Sequence, residues 1–411
     1  MNILCLCQLI EVGSDTGSER HFYFCKYAVR QGHKTIAITS NVDYKNVRAK
    51  FPGTSGTVRR TTDGVDIYYV YSYPHFRGSY SKRFYFFLTY FYSSIAESLR
   101  VSSRIDVIYA VSTPLTVGFL GYVISRLRRV PFVFEVSDVW PDAAVACGVV
   151  KSKTLIRFAH WLELFCYKKA NHIVGLSRGI CENIVAKGVD RAKVSMITNG
   201  VDLSLFRVTG EEAAGLAVRT QLGFENRFVV MYLGAHGAYN ALDTIVDVAA
   251  RFNGDERFLF VLVGDGDEKP GLQDRVSGLR LSNVMFFPPI QRKDCVAMLA
   301  AADVFVLPNR KGEFFEGNLP NKLFDFLASA KPVVVSGFGE SAELIVAAGC
   351  GAVCPAEDSR EIARLLTEIA DMPAIDRMAM GARGRNYALD NYNREMLSER
   401  FLEILTDSIK Q

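Results

Sequence analysis

Residues 313–335, EFFEGNLPNKLFDFLASAKPVVV, predict a loop containing glycine and proline, a helix that begins near Asn321, and a buried strand. The start of a helix offers free backbone N–H groups and the positive end of the helix dipole, which together favour an anion such as phosphate. Lys322 adds a full positive charge in the first turn, and Asp325, about one turn further on, offers a carboxylate to sugar hydroxyls. The segment therefore predicts a nucleotide-sugar site.

On either side of this segment, strand patterns alternate with helix patterns. An apolar run at residues 3–9, a helix at 19–31 and a strand at 34–39 form a strand–loop–helix–strand unit, the building block of a doubly wound sheet. A polar stretch at residues 209–227 precedes a second series of buried strands, which begins at residue 228. A chain of 411 residues is too long for one ordinary core. The sequence thus predicts two α/β domains.

The composition narrows the class of protein. A content of 49% hydrophobic and 22% charged residues is typical of a globular protein and excludes disorder, and a net charge of +4 does not by itself indicate nucleic-acid binding. Nine scattered cysteines predict reduced, buried thiols in a cytosolic protein, with no metal site and no disulfide framework. The N-terminus, MNILCLCQLI, lacks a basic n-region and reads as a first strand, not as a signal peptide.

Two segments of the first half combine aromatic with basic residues. Residues 75–105 contain seven aromatic residues between Phe84 and Tyr92, preceded by three basic ones. A predicted helix at residues 155–169 is aromatic on one side and ends in two lysines. Such helices can lie on an anionic membrane surface, or they can pack against the sheet with their aromatic rings in the core. The sequence leaves both interpretations open and predicts membrane contact for residues 75–105.

Candidate polar residues in the first half follow predicted strands. Asp138 and Trp140 come after an apolar strand, at the edge of a parallel sheet where ligands bind, although Asp138 could instead cap the next helix. Gly17 follows the first strand, where it either lets the backbone approach a phosphate or forms a flexible turn. The fingerprint of dinucleotide-binding glycines is absent.

Taken together, the motifs resemble those of the family 4 glycosyltransferases. The resemblance covers essentially the whole chain and depends on the combination of motifs at residues 17–20 (GSER), 137–141 (SDVWP), 199–202 (NGVD) with Phe206, 234–237, 264–266 and 313–335. The SDVWP turn and the segment PNKLFDFLA are similar to a subgroup from bacterial O-antigen, capsule and exopolysaccharide clusters, which includes N-acetylfucosamine transferases that act on lipid-linked acceptors.

The resemblance implies the GT-B fold, an α/β architecture of two Rossmann-like, doubly wound parallel-sheet domains that face each other across a cleft. Residues 1–205 would form the acceptor-side domain and residues 206–392 the nucleotide-sugar domain. A C-terminal helix, residues 393–411, would pack back on the first domain, because its apolar positions form one face.

The resemblance also implies an activity. It predicts a metal-independent, retaining hexosyltransferase that moves a sugar from a nucleotide-diphosphate donor, expected to be a UDP-sugar, to a polyprenyl-diphosphate-linked acceptor in surface polysaccharide synthesis. No separate cofactor and no nucleic-acid partner are expected. The protein would be cytoplasmic and peripheral on the inner face of the cell membrane. A UDP-sugar 2-epimerase of the same fold and a non-catalytic GT-B scaffold subunit are the alternatives.

The family pattern assigns roles to individual residues. Gly17 and Lys322 would hold the diphosphate, Asp325 the ribose, and Asp138 the donor sugar near the reaction centre. Glu316 is a further catalytic candidate, although it lies one residue from the position of the family's first acid, which Gly317 occupies. The remaining donor-binding candidates are Gly234, His236, Asn318, Leu319, Pro320 and Asn321.

The second domain departs from the family at its first loop. The family's arginine and lysine after the first strand of this domain are replaced, since Ala235, His236 and Asn240 stand there. Lys322 is expected to supply the missing charge. His236 either assists it or has a structural role.

Overall fold

The structure is a computed structural model. It describes residues 1–10, 12, 20–43, 47–54, 56–76, 79–112, 114–142, 145, 150, 152–202, 205–206, 210–312, 317 and 319–410. The described residues form two compact units. The first contains the residues up to Thr198 and those from Glu395 onward, and the second contains Asn199–Arg394. The chain therefore passes from the first unit to the second after residue 198 and returns to the first after residue 394. The sequence predicted these boundaries after residues 205 and 392.

The first unit is built on an eight-stranded sheet of order β10-β9-β8-β7-β1-β2-β6-β5. Its strands pair in parallel except for β5 and β6, which form an antiparallel pair at one edge. A separate short antiparallel pair, β3 and β4, lies outside this sheet. The strands are β1 (Asn2–Leu6), β2 (Lys34–Ser40), β3 (Val42–Asp43), β4 (Arg48–Ala49), β5 (Val58–Thr62), β6 (Val65–Val70), β7 (Val107–Val111), β8 (Phe132–Val136), β9 (His172–Gly175) and β10 (Val194–Met196).

Helices cover both faces of this sheet. They span Arg20–Arg30, Tyr80–Arg100, Thr116–Arg128, Lys153–Lys169, Arg178–Ala186 and Arg394–Lys410. The last of these, the C-terminal helix, packs within the first unit: the ring of Phe401 stacks on Phe24 and meets Tyr109 edge-on, each with ring centroids 4.6 Å apart. Leu397 and Leu405 join the same core cluster, one helical turn to either side of Phe401.

The second unit is built on a six-stranded, all-parallel sheet of order β13-β12-β11-β14-β15-β16. Its strands are β11 (Phe228–Leu233), β12 (Phe258–Val263), β13 (Val284–Phe287), β14 (Val304–Pro308), β15 (Val333–Ser336) and β16 (Gly351–Cys354). Its helices span Glu211–Leu222, Leu242–Arg251, Lys269–Gly278, Arg292–Ala300, Asn321–Ala328, Glu340–Ala348, Ser359–Asp371 and Ala374–Tyr392. The prediction of two doubly wound parallel-sheet domains is confirmed.

Strand alternation divides the core of the second unit into two layers. Val229 and Met231 of β11 belong to one buried cluster, and Val230 and Tyr232 belong to the cluster on the opposite face of the sheet. Because both faces are covered, these strands read as uninterrupted apolar runs in the sequence. That property made them easy to predict.

Each sheet has a point where the strand order reverses. In the second unit, the chain runs from β11 outward to β13 and then returns to β14 on the other side of β11. In the first unit, the corresponding point lies between β1 and β7. Ligands of open α/β sheets bind beyond the carboxyl ends of the strands at such a switch point. A ligand site is therefore expected at these two switch points.

Candidate functional site

The switch point of the second unit brings together two segments that the sequence singled out. The loop that follows β11 begins at Gly234, and the helix Asn321–Ala328 begins beyond the carboxyl end of β14. Lys322, in the first turn of that helix, reaches this loop: its side chain lies against Gly234 and Tyr232. The candidate site is therefore built from a loop and a helix start separated by more than eighty residues in the sequence.

Lys322 is held by neutral partners. Its ammonium donates hydrogen bonds to the Tyr232 hydroxyl and to Oδ1 of Asn240 at 2.8 Å, and it lies 4.4 Å from the centroid of the Tyr232 ring. Among the described residues, no carboxylate lies within ion-pair distance of Nζ. Because burial is not offset by an opposite charge, the pKa of Lys322 falls to about 7. The site thus presents a cation that no carboxylate of the described residues neutralises.

Hydrogen bonds within the loop keep these partners in place. The Tyr232 hydroxyl donates to the carbonyl oxygen of Ala235 at 2.8 Å, and the Asn240 amide donates to the same oxygen at 2.9 Å. Burial raises the pKa of the Tyr232 hydroxyl, which keeps it protonated and able to donate this bond. Tyr232 and Asn240 thus brace the loop and orient Lys322, roles that the sequence analysis missed.

Gly234 gives the lysine its space. A Cβ at this position would lie 2.8 Å from Cε and 3.0 Å from Nζ of Lys322, and 3.2 Å from the Tyr232 hydroxyl. Glycine is therefore needed here because the lysine side chain passes directly over the backbone.

We predict that Gly234→Ala weakens anion binding at this site more than it weakens the fold. The added methyl group must displace the Lys322 side chain, so we expect about a tenfold loss of nucleotide-diphosphate affinity and a loss of roughly 1–2 kcal/mol in stability. Isothermal titration with UDP and urea unfolding measure the two effects. Gly271→Ala, on a helix with no atom near its Cβ position, is the control. Unchanged affinity in Gly234→Ala would contradict the prediction.

Asp325 is engaged by a residue that the sequence analysis did not name. The guanidinium of Arg292, at the start of the helix Arg292–Ala300, donates two hydrogen bonds to its carboxylate, at 2.7 and 2.8 Å. The planar fork of arginine matches both carboxylate oxygens and fixes their orientation. Each oxygen keeps a further lone pair for a ligand hydroxyl. Arg292 therefore orients the carboxylate that the family pattern assigns to the ribose.

His236 is fully buried, and neither ring nitrogen has a hydrogen-bond partner among the described residues. Burial, and secondarily the charge of Lys269, lower its pKa to about 4, so the imidazole is neutral at pH 7. Its backbone is fixed by the next loop, since its N–H donates to the Asp265 carbonyl and its carbonyl accepts from Glu268. The neutral imidazole, which lies beside Gly264, has one donor and one acceptor nitrogen with no partner among the described residues.

The other predicted donor-binding residues surround the helix start. Leu319 is buried, Pro320 precedes the helix, and Asn321 is its exposed first residue. Gly17, Glu316 and Asn318 lie outside the described residues. Among the residues that the structure does describe, no group of three His, Cys, Asp or Glu side chains could hold a metal ion.

The first unit places Asp138 directly beyond the carboxyl end of β8. Its side chain reaches solvent, yet the protein packed around it disfavours the charged form and raises the pKa of the carboxyl above its usual value. Trp140 and Pro141, joined by a cis peptide bond, complete the turn.

A partly buried network of charged side chains holds Asp142, the residue that follows this turn. Lys187 donates to Asp142 at 2.8 Å and to the fully buried Glu163 at 2.7 Å. His160 lies 3.5 Å from Asp142 and 3.3 Å from Glu163. His160 and Glu163 belong to the helix Lys153–Lys169, so this helix is tied directly to the turn that carries Asp138.

A buried network of polar side chains connects β7, β8 and the helix Arg20–Arg30 in the first unit. Glu135 of β8 is fully buried and pairs with Arg20, which approaches its two oxygens at 3.2 and 3.3 Å, and the Tyr109 hydroxyl donates to it at 2.9 Å. Arg20 also donates to the backbone carbonyls of Ile197 and Thr198, the last residues of this unit before Asn199. Arg20, which the sequence placed only within the GSER motif, thus clamps the end of the first unit.

Comparisons with known proteins cover most of the chain. A family model described as "Glycosyl transferase 4-like domain" matches residues 21–200, and one described as "Glycosyl transferases group 1" matches residues 227–371. The probable glycosyltransferase WbjE of Pseudomonas aeruginosa is 26% identical over 316 residues, 74% of this chain and 76% of that protein.

Two further similarities concern a curated enzyme and a solved structure. The UDP-Gal:alpha-D-GlcNAc-diphosphoundecaprenol alpha-1,3-galactosyltransferase of Escherichia coli is 24% identical over 315 residues, 74% of this chain and 76% of the enzyme. The crystal structure of Anabaena HepE in complex with UDP-glucose has a TM-score of 0.74 at 17% identity, covering 99% of this chain and 100% of HepE. At this identity the likeness to HepE concerns the fold.

Proposed function

This chain belongs to the family 4 glycosyltransferases and has their GT-B fold, and from that premise we propose that it is a retaining, metal-independent hexosyltransferase. The donor is a UDP-sugar, and the acceptor is a polyprenyl-diphosphate-linked glycan in bacterial surface polysaccharide synthesis. The product belongs to an O-antigen, a capsule or a related polymer. The enzyme works as a peripheral protein on the inner face of the cell membrane.

The observation that carries this proposal is the buried ammonium of Lys322 at the switch point of the second unit, which has only neutral partners among the described residues. A departing nucleoside diphosphate develops negative charge as the glycosidic bond breaks, and a fixed cation with helix N–H groups stabilises that charge. Gly234 has no side chain that would collide with the Lys322 ammonium, and hydrogen bonds to Tyr232 and Asn240 orient the ammonium. The relatives support the choice of ligands: the Escherichia coli enzyme is named for a UDP-sugar and a diphosphoundecaprenol, and HepE was crystallised with UDP-glucose.

The proposed chemistry needs no dedicated base. The bond between the anomeric carbon and the phosphate oxygen breaks, and the acceptor oxygen forms its bond to the same face of that carbon. The acceptor hydroxyl gives its proton to the departing phosphate oxygen. In this scheme Lys322 stabilises the leaving diphosphate, Asp138 contacts the donor sugar, and Asp325 binds the ribose hydroxyls. Gly17, Glu316 and Asn318 keep the roles that the family pattern assigns to them.

Substitutions of Asp325 and Arg292 test whether Asp325 binds the ribose of the donor. We expect Arg292→Met and Asp325→Asn each to raise KM for the donor about tenfold with a smaller change in kcat, because the ribose contact is made equally in the ground and transition states. The double variant should lose little more than either single one. Arg219→Met, which breaks the comparable Arg219–Asp303 pair of the same unit, is the control. Unchanged KM in both single variants would remove Asp325 from the donor site.

The activity itself is tested with a panel of nucleotide sugars, scored by release of the nucleotide and by transfer to a membrane lipid fraction. We expect a UDP-sugar to be turned over only when the lipid acceptor is present. Turnover of the UDP-sugar into its 2-epimer without acceptor would instead support the epimerase alternative. Absence of nucleotide binding altogether would support a scaffold role and overturn the proposed function.

A further inference from the structure

Three helices of the first unit form one continuous aromatic surface. The helices Tyr80–Arg100, Thr116–Arg128 and Lys153–Lys169 pack side by side and share one core cluster. Ring contacts of 5.6–5.8 Å between centroids run across them without a break, through Phe91, Phe119, Phe165, Trp161 and Phe158. We call the outward side of these three helices the docking face.

All three helices of the docking face carry exposed apolar residues, and those of the third helix form one group. Leu155, Phe158 and Trp161 of Lys153–Lys169 are 51%, 55% and 56% exposed. In the aromatic run that the sequence favoured, Phe86 and Tyr90 are buried in the core. The exposed members of that run are Phe84, Tyr85 and Tyr92, at 61%, 56% and 64%. The core interpretation therefore holds for Phe86 and Tyr90, and membrane contact of residues 75–105 stays a prediction. No helix in the described part of the chain is long and apolar enough to cross a membrane.

The charge on the docking face has one sign. The three helices contain nine lysine and arginine residues but two acids, whereas the whole chain has 48 against 44. Both acids, Glu97 and Glu163, are buried. At the edge of the face an open groove of about 740 Å³ is lined by Arg126, Arg129 and Lys169. Every exposed charge on these helices is therefore positive.

We propose that the docking face binds an anionic phospholipid bilayer, with Leu155, Phe158 and Trp161 entering the headgroup region and the surrounding cations pairing with lipid phosphates. Exposed aromatic and aliphatic side chains suit the membrane interface, and each nearby lysine or arginine adds about 1 kcal/mol of attraction to an anionic leaflet. This inference deepens the membrane location in the proposed function and rests on it.

The inward side of the helix Lys153–Lys169 links the docking face to the turn that carries Asp138. His160 and Glu163 connect it, through Lys187, to Asp142 beside the Asp138 turn. The helix proposed to enter the bilayer is thus joined by side-chain contacts to the turn assigned to the donor sugar. Docking would hold that turn at a fixed height above the membrane from which a lipid-linked acceptor projects.

Tryptophan fluorescence tests the proposal directly, because the chain has only two tryptophans, Trp140 and Trp161. In the variant Trp140→Phe, we expect the emission of Trp161 to shift to shorter wavelength on vesicles of phosphatidylcholine with phosphatidylglycerol. Vesicles of phosphatidylcholine alone should give little shift, and added salt should weaken the binding. Brominated acyl chains should quench the emission. An unchanged spectrum on the anionic vesicles would overturn the proposal.

A flotation assay with the same vesicles measures the contribution of the third helix. We expect Leu155→Ser with Phe158→Ser to lower vesicle binding at least tenfold. Ile375→Ser with Met378→Ser, which removes two even more exposed apolar residues from a helix of the second unit, should have no effect. If the unmodified protein is a dimer and Leu155→Ser with Phe158→Ser dissociates it, the docking face binds a second copy of the chain. That result would overturn the membrane assignment.

Titration with UDP separates this proposal from the proposed function. The Leu155→Ser, Phe158→Ser protein should bind UDP as the unmodified protein does, because neither residue belongs to the donor site. If the unmodified protein floats with vesicles but binds no nucleotide, the docking face stands and the proposed function fails. If it binds nucleotide but does not float, the docking face fails alone.

Discussion

Replacing Lys322 with methionine is expected to reduce transfer about 10²- to 10³-fold while making the unliganded protein more stable. The loss follows because the developing charge on the diphosphate loses its fixed cation. The gain in stability, on the order of 1–3 kcal/mol, follows because the buried ammonium has only neutral partners among the described residues. Nucleotide release and urea unfolding measure the two effects. Lys331→Met, which removes another half-buried lysine of the same unit, is the control for activity.

The stability gain should depend on pH with a definite sign. Burial lowers the pKa of Lys322 to about 7, below the value near 10.4 of an unfolded lysine. Between these values the unfolded chain binds more protons, so the unmodified protein gains stability as pH rises. The advantage of Lys322→Met should therefore be largest at or below pH 7 and disappear towards pH 10. A variant that is less stable than the unmodified protein at pH 7 would contradict this account of the site.

Nucleotide binding provides an independent test of the same lysine. A bound diphosphate favours the charged ammonium, so UDP affinity should fall by up to about tenfold per pH unit above pH 7. Lys322→Arg should remove this dependence, because a guanidinium stays charged throughout the range. An equal pH dependence in the two proteins would assign the titration to another group.

The features that could be predicted from sequence are those determined by residues close together in the chain. Uninterrupted apolar runs predicted the central strands, since both faces of each sheet are covered. A lysine in the first turn of a helix, after a loop with glycine and proline, predicted the place of Lys322. By contrast, the helix Glu211–Leu222 buries only Gly215 and carries no apolar stripe, so the sequence predicted a polar connection there.

The missed features depend on contacts between distant parts of the chain. Arg292 meets Asp325, and Tyr232 meets Lys322, only because the strand order brings their loops to one edge of the sheet. In the helix Tyr80–Arg100, the buried face carries the aromatic residues Phe86 and Tyr90 in its first half. From Ser94 onward the buried residues of this helix are polar. The aromatic run alone therefore could not show which rings face the core.

A further large effect is expected at Glu135. Glu135→Leu should destabilise the first unit by about 3–5 kcal/mol, because it leaves the buried guanidinium of Arg20 without its carboxylate. The double variant Arg20→Met, Glu135→Leu should recover much of this loss, although the carbonyls of Ile197 and Thr198 lose a donor. Glu368→Leu, which breaks the exposed pair with Arg364, should change stability by less than about 1 kcal/mol.

The pH dependence at Glu135 runs opposite to that at Lys322. Burial alone would raise its pKa, but the charges of Arg20 and His21 and the hydrogen bonds from Arg20 and Tyr109 outweigh burial and lower it. The carboxylate therefore contributes stability that is complete above its unfolded pKa, near 4.3, and is lost as the pH falls below it. Urea unfolding between pH 7 and pH 3 should show this loss in the unmodified protein and not in the double variant. Additive losses in Arg20→Met and Glu135→Leu would instead mean that the two residues stabilise the unit independently, and that Arg20 clamps the Ile197–Thr198 end of the unit without help from the carboxylate.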